Sequence, residues 1–281
     1  MNISVNQEQQ DFWSSQAGEK WVRNQSEMDA LLAPVLQLVL KHADLQAGET
    51  VLDIGCGAGT STARAAQLVS DTGHCTGLDI ADTFLNHAAH ELGHPNIDWL
   101  LADAQTHQFQ PNTFDAMISR FGVMFFSDTV AAFANIKSAL KPQGRIVMAA
   151  WGPAPENPWF MLPAKAAKAQ LGQMPKTDRS LPGPFAFENH NYVVEMLAEA
   201  GFLNIEATNY SLNLTAPNGL ASAAQLCCEI GSANGALQYF NGTAEDRKSI
   251  EAGIVELFKP FETKEGLHIP SSIHLFTARA G

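Results

Sequence analysis

The sequence predicts an α/β fold, a mostly parallel seven-stranded sheet with helices on both faces, carrying an N-terminal helical arm and an inserted cap. Three observations predict it. Between residues 50 and 151, short apolar runs alternate with helical stretches of about ten residues, the pattern of strands joined by crossover helices. A glycine cluster stands directly between the first run and its helix. After Trp151, Gly152 and the prolines 153, 155, 158, 163, 175, 182 and 184 interrupt the alternation and break any long regular element.

Taken in order, the chain opens on a polar stretch with aromatics, Phe12, Trp13 and Trp21. A helix follows from Ser26, with Ser26 as N-cap, Asp29 as its capping partner, and Leu31, Leu32, Val35, Leu36, Leu38 and Val39 at helical spacing. Strands are expected at Thr50–Ile54, Cys75–Asp79, Ile97–Leu101, Phe114–Ser119 and Arg145–Trp151, and helices at Ser61–Val69, Thr83–Leu92 and Val130–Leu140. A helix at Tyr192–Ala200, stopped by Gly201, and strands at Ile205–Leu212 and Ile273–Ala278 return to the α/β pattern. The expected divisions are an arm to residue 47, a core at 48–151, a cap at 152–188, more core at 189–214, a second helical insertion at 215–269 and a closing strand at 270–281.

Composition narrows the function. The chain has 281 residues, 17 basic and 29 acidic side chains, and a net charge of −12. That negative field repels a polyphosphate backbone, so no nucleic-acid partner is expected. No apolar run reaches the roughly 20 residues of a membrane span, and no signal sequence is evident in the first thirty residues. The four cysteines, Cys56, Cys75, Cys227 and Cys228, lack zinc-ligand spacing and are too few for a disulfide framework, so a cytoplasmic setting and no metal are expected. The neighbours Cys227 and Cys228 point about 100° apart on a helix and do not suggest a soft-metal site.

Asp53-Ile54-Gly55-Cys56-Gly57-Ala58-Gly59-Thr60 places three glycines at a strand-to-helix turn, where a ligand can lie against bare backbone and face the first N–H groups of the helix. Asp79 ends the next strand, where a carboxylate can accept both hydroxyls of a ribose. In these residues, and in Gly77-Leu78-Asp79-Ile80, Leu101-Ala102-Asp103-Ala104, Phe114-Asp115, Ser119-Arg120-Phe121-Gly122-Val123-Met124-Phe125-Phe126 and Leu140-Lys141-Pro142-Gln143-Gly144-Arg145, the chain resembles the class I S-adenosylmethionine-dependent methyltransferases. Within that Rossmann-like family it is most similar to the small-molecule enzymes of the ubiquinone/menaquinone-biosynthesis type. The resemblance implies that Gly55, Cys56, Gly57, Gly59 and Thr60 form the loop around the methionine part of S-adenosylmethionine, with Asp53 orienting either that loop or the methionine amino group. It further implies that Asp79 binds the ribose, Asp103 the adenine amino group, and that Ile80, Ala104, Ser119 and Phe121 lie beside the adenosine. Trp21 is either an apolar seal or a donor to the methionine carboxylate.

Methyl transfer from a sulfonium is an in-line displacement that requires alignment and dryness. The Asn-Pro-Pro-Tyr signature of amide or base N-methylation is absent, and Ser119-Arg120-Phe121-Gly122 stands in its place. Phe121, Met124, Phe125, Trp151, Trp159 and Phe160 suggest a small, largely apolar acceptor reacting through O, S or C. Arg120 is a candidate to stabilise an anionic acceptor or to pair with a surface acid. His190 and His274 are candidate bases. The alternatives are an NAD-linked oxidoreductase, which shares the glycine turn, and a non-catalytic S-adenosylmethionine-binding protein. A monomer or homodimer is expected.

Overall fold

The computed structural model describes residues 6–176 and 178–281, so the first five residues of the expected arm lie outside the described ones. The arm consists of α1 (Gln7–Trp13), α2 (Gln16–Arg23) and α3 (Gln25–Ala43). Then follow β1 (Thr50–Ile54), α4 (Thr60–Val69), β2 (His74–Asp79), α5 (Asp82–Glu91), β3 (Ile97–Leu101), β4 (Phe114–Arg120), α6 (Thr129–Ala139) and β5 (Leu140–Trp151). The rest is α7 (Pro158–Leu171), α8 (His190–Glu199), β6 (Phe202–Ala216), α9 (Gly219–Glu229), α10 (Ser232–Tyr239), α11 (Ala244–Phe258), β7 (Glu262–Thr263) and β8 (Gly266–Ala280).

The main path of the sheet runs β3-β2-β1-β4-β5-β8-β6, with parallel pairing from β3 to β5 and β8 antiparallel to both its neighbours. A two-residue β7 pairs with β8, so the expected seven strands become eight. The direction of strand succession reverses between β1 and β4, and in open α/β sheets the region outside the carboxyl ends of the strands at such a point is where ligands bind. Val51, Leu52, Asp53 and Ile54 are all buried because helices cover both faces of β1. On one face α3 contributes Leu31, Leu32, Val35 and Val39 and packs on β4, β5 and β6.

Three expectations are corrected. The proline-rich stretch holds a 14-residue helix, α7, with Pro158 at its first position, where no N–H is needed, and Pro163 inside. Burial of Trp159, Pro163, Ala166 and Ala167 against α10 and α11 outweighs the hydrogen bond Pro163 removes. The strands expected at Ile205–Leu212 and Ile273–Ala278 are each 15 residues long, paired from Phe202↔Ala280 to Ala216↔Leu267. Finally, the N-cap of α3 is Asn24, two residues before the expected Ser26, which lies inside the helix, and Asp29 caps nothing; its carboxylate is engaged elsewhere.

The arm lies across the sheet end. Trp13 meets Phe84 and Trp21 at centroid distances of 5.9 Å each and Phe125 edge-on at 5.6 Å. Trp13, Trp21 and Val22 pack on Ala58, Ala81 and Phe84. At Gly18, a Cβ would collide with the Trp13 carbonyl and approach the Thr83 side chain at 3.8 Å, so α1, α2 and α5 meet where no side chain fits. Replacing Gly18 with valine should lift α1 and α2 while leaving the sheet intact. Hydrogen exchange should then show amides of residues 7–24 exchanging at least about tenfold faster, with β1 and β4 unchanged. Unaltered arm protection would contradict this packing.

Candidate active site

The turn after β1 is held from three sides. The N–H groups of Gly55 and Cys56 both donate to the Leu78 carbonyl, at 2.8 and 3.0 Å, and the Gly57 N–H donates to Asp79 Oδ2 at 2.8 Å. Gly55 (φ +64°) touches Gly122: a Cβ on it would stand 2.6 Å from Gly122 Cα. Ser119 braces this contact by donating to the Ile54 carbonyl at 2.8 Å and accepting from the Gly122 N–H at 3.2 Å. Ser119 thus serves the turn's backbone. Gly59 carries helix packing, since a Cβ there would lie 2.5 Å from the Trp99 ring and 2.9 Å from Ala88 Cβ. Gly57 (φ +55°) differs, because a Cβ on it would meet nothing within 4 Å.

Two buried carboxylates flank the turn. Asp53 Oδ2 accepts from the hydroxyls of Ser61 (2.6 Å) and Thr62 (2.7 Å), and its Oδ1 is buried without a partner among the described residues. Asp79 accepts from Gly57 and, through Oδ1, from the Ala81 N–H at 3.0 Å. Burial pushes both carboxyls up from the ordinary 3.8 to about 6, against the lowering effect of these hydrogen bonds. Cys56 lies between them, and burial followed by the charges of Asp79 and Asp53 drives its thiol well up, so it remains a neutral packing group.

Asp103, past the end of β3, is reached by a residue that sequence reasoning passed over. The side-chain amide of Asn6 donates to both Asp103 oxygens (3.0 and 2.9 Å) and to Gln105 Oε1 (3.1 Å), and its oxygen accepts from the Ser127 N–H (2.9 Å). With the Gln105 N–H also on Oδ1, Oδ2 keeps an acceptor position. A second overlooked group is Asp29, which joins the arm to the turn. Arg120 Nη2 donates to Asp29 Oδ1 at 2.9 Å, Thr60 Oγ1 donates to Asp29 Oδ2 at 2.6 Å, and Gln25 Nε2 donates to Thr60 Oγ1 at 3.2 Å. The partner of Arg120 is therefore a largely buried acid of α3 rather than a surface one. Nothing local in the sequence marks these roles, because Asn6 bonds to Asp103, 97 positions on, and Asp29 to Thr60 and Arg120, 31 and 91 positions on.

On the other side of the turn, Phe121 adopts φ +70° and its ring stacks on Trp151 at 4.2 Å and 6°. Phe160 meets Trp151 edge-on at 4.9 Å, and Phe185 meets Phe160 in the same way. The Gly183 N–H donates to the Met124 carbonyl at 3.0 Å, tying the segment after α7 over the Gly122–Phe125 turn. Trp159 points the other way, stacked on Phe258 of α11 at 6.0 Å. His190 and His274 face each other at 5.5 Å between α8 and β8; burial lowers the His274 pKa, and its Nδ1 lies 3.3 Å from the Phe187 carbonyl oxygen. Ile80 and Ala104 follow Asp79 and Asp103 directly.

The Methyltransferase domain family matches residues 51–144. The nocamycin O-methyltransferase of Saccharothrix syringae is 28% identical over 200 residues, 67% of this chain and 71% of its own length. A ubiquinone/menaquinone biosynthesis C-methyltransferase of an Enterobacter species is 33% identical over 105 residues, 36% of this chain and 42% of its own. Across such relatives the chain spans from 23% to 71% of their length. Among solved structures, a phosphoethanolamine N-methyltransferase 2 of Haemonchus contortus, in complex with phosphomonomethylethanolamine and S-adenosylhomocysteine, superposes with a TM-score of 0.59 at 19% identity. That superposition covers 99% of this chain and 60% of the other. Residues 51–144 thus match the Methyltransferase domain family, and the chain shares the fold of solved methyltransferases.

Proposed function

We propose that the chain binds S-adenosylmethionine across the carboxyl ends of β1, β2 and β3 and moves its methyl group to an O, S or C nucleophile of a small, largely apolar acceptor. One observation carries this reading: Gly57 opens onto free space beside an Asp79 carboxylate. Two backbone donors occupy one lone pair on each Asp79 oxygen, which leaves one on each for the two hydroxyls of a ribose. Asp103 Oδ2 retains an acceptor position for an adenine amino group. These features fit the adenosine of the cofactor.

Bound there, the cofactor would supply a sulfonium methyl: the acceptor's electron pair bonds the methyl carbon while the C–S pair returns to sulfur, which becomes a neutral thioether. The chain's own task is to align and enclose. α1 and α2, pinned through Asn6, Trp13 and Trp21, cover the turn from the solvent side. Residues 152–188 and 215–269 make the acceptor side, where Phe160 and Phe185 extend the Phe121–Trp151 stack into an apolar wall. Such a wall excludes water and holds a flat or apolar acceptor against the methyl carbon. The relatives reported above are methyltransferases, and none of them is an oxidoreductase.

Gly57→Asn tests the cofactor site. Asparagine tolerates positive φ, so the fold should hold, while its side chain enters the open space and should abolish S-adenosylmethionine binding by calorimetry. Parental affinity in that variant would sink the proposal.

The two raised carboxyls set a pH dependence. A group whose pKa rises on folding, here from 3.8 to about 6, gives its full stability below about 4 and loses it as pH rises through about 6. Cofactor binding has the opposite sign, because a cation and two ribose hydroxyls favour the ionised forms. Affinity should climb roughly tenfold from about pH 5 to about pH 7. Asp79→Asn should weaken binding and flatten the climb; a pH-independent parent would contradict it.

Phe160 and Trp159 should separate acceptor from core. With methyl gain followed by mass spectrometry over a panel of phenols, thiols, carboxylic acids and quinone precursors, Phe160→Ala should lose turnover or raise KM with S-adenosylhomocysteine affinity kept. Trp159→Ala should cost about 3–5 kcal/mol of stability, as for a large buried aromatic. Equal effects of the two on acceptor kinetics, with no stability difference, would overturn this assignment.

A further inference from the structure

Two buried groups of opposite charge meet the first turn of α4 with an atom each unsatisfied. Asp53 binds Ser61 and Thr62 of that turn through Oδ2, and its Oδ1 has no partner among the described residues. Arg120 reaches Thr60 of the same turn through Asp29, using Nη2, and its Nη1 is buried without a partner among the described residues. The Arg120 charge is felt at Asp53, where it lowers the carboxyl pKa against burial. Buried polar atoms of native proteins are almost always satisfied, and unsatisfied ones are costly for a charged group. A ligand that supplies a donor to Asp53 and an acceptor to Arg120 would satisfy both.

A carboxylate can only accept and a guanidinium can only donate. The chemistry that answers both is a zwitterionic α-amino acid, with its ammonium toward Asp53 Oδ1 and its carboxylate toward Arg120 Nη1. Adenine and ribose offer no anion for the arginine. The first N–H groups of α4 add to the field that favours the carboxylate.

Resting on the reading of the site as a cofactor site, we propose that Arg120 reads the α-carboxylate of the cofactor's methionine end, and that Asp29 and Thr60 act as positioning residues that hold its guanidinium fork. The sequence offered Arg120 as a contact for an anionic acceptor. The geometry instead ties it to the glycine turn through Asp29 and Thr60, and its second nitrogen is the free one.

The test compares two ligands by calorimetry: S-adenosylhomocysteine, and 5′-methylthioadenosine, which shares the adenosine and thioether but lacks the amino acid. Arg120→Met should weaken S-adenosylhomocysteine at least tenfold and leave methylthioadenosine within twofold, which also shows that the variant is folded. Arg120→Lys, which keeps the charge but loses the fork, should fall between parent and Arg120→Met. Asp29→Asn should weaken S-adenosylhomocysteine several-fold with methylthioadenosine unchanged. An Arg120→Met protein that loses both ligands together, or neither, overturns the proposal, as does a parent that binds the two ligands equally. A parent that binds neither ligand overturns the cofactor reading itself, so the two failures are distinguishable.

Discussion

The touching backbones of Gly55 and Gly122 set the positions of everything around the glycine turn. The contact lies where the order of strands reverses, between β1 and β4, and a Cβ on either residue would drive it apart: on Gly122 it would stand 2.5 Å from the Ile54 carbonyl oxygen. Ser119 fastens it with one hydroxyl that donates to β1 and accepts from the next turn. Phe121, caught between Ser119 and Gly122, takes a left-handed backbone that a bulky residue rarely adopts, and its ring is laid on Trp151. The floor of the glycine turn and the first panel of the aromatic wall are therefore fixed by the same contact.

The arm depends on that frame and completes it. Its polar anchors, Asn6, Gln25 and Asp29, bond to the loop after β3, to the glycine turn and to the end of β4. Its apolar anchors, Trp13 and Trp21, pack on Ala58, Ala81, Phe84 and Phe125. The Arg120–Asp29 pair has side chains only 13% and 22% exposed, unlike the surface pairs Lys248–Glu245 and His90–Glu91. An exposed pair contributes little, but breaking a largely buried one strands a charge, so α3 is held in register with the sheet end by a contact that is costly to lose.

The central strands and the glycine turn were legible because their causes are local. Val51 to Ile54 form an apolar run with glycines immediately after, and the structure places β1 and α4 within a residue of expectation. What the sequence hid depends on partners far along the chain. The polar face of β6 disguises a 15-residue strand whose ends are set by β8. Pro163 reads as a breaker until α10 and α11 are present to pack α7. The neighbours Trp159 and Phe160 look alike in sequence, yet one stacks on α11 and the other meets Trp151. The glycines and carboxylates at the ends of β1 and β2 could be read from order alone, whereas the aromatic wall assembled from β5, α7 and the segment after it could not.

The charge distribution gives the two halves of the site different work. Around the turn, Asp53, Asp79 and Asp29 outnumber Arg120 in a desolvated setting, and burial has already raised the first two carboxyls to about 6. A negative enclosure of this kind favours a cation, and low dielectric magnifies the preference. On the proposed reading the methyl donor carries a net positive charge through its sulfonium, and the thioether product carries none. The same carboxylates that draw the donor in thus hold the product less tightly, while the apolar wall of Phe121, Trp151, Phe160 and Phe185 adds no charge to oppose release. On that reading, charge kept at the glycine turn and aromatic surface kept on the other side of it would favour donor over product without a moving charged side chain.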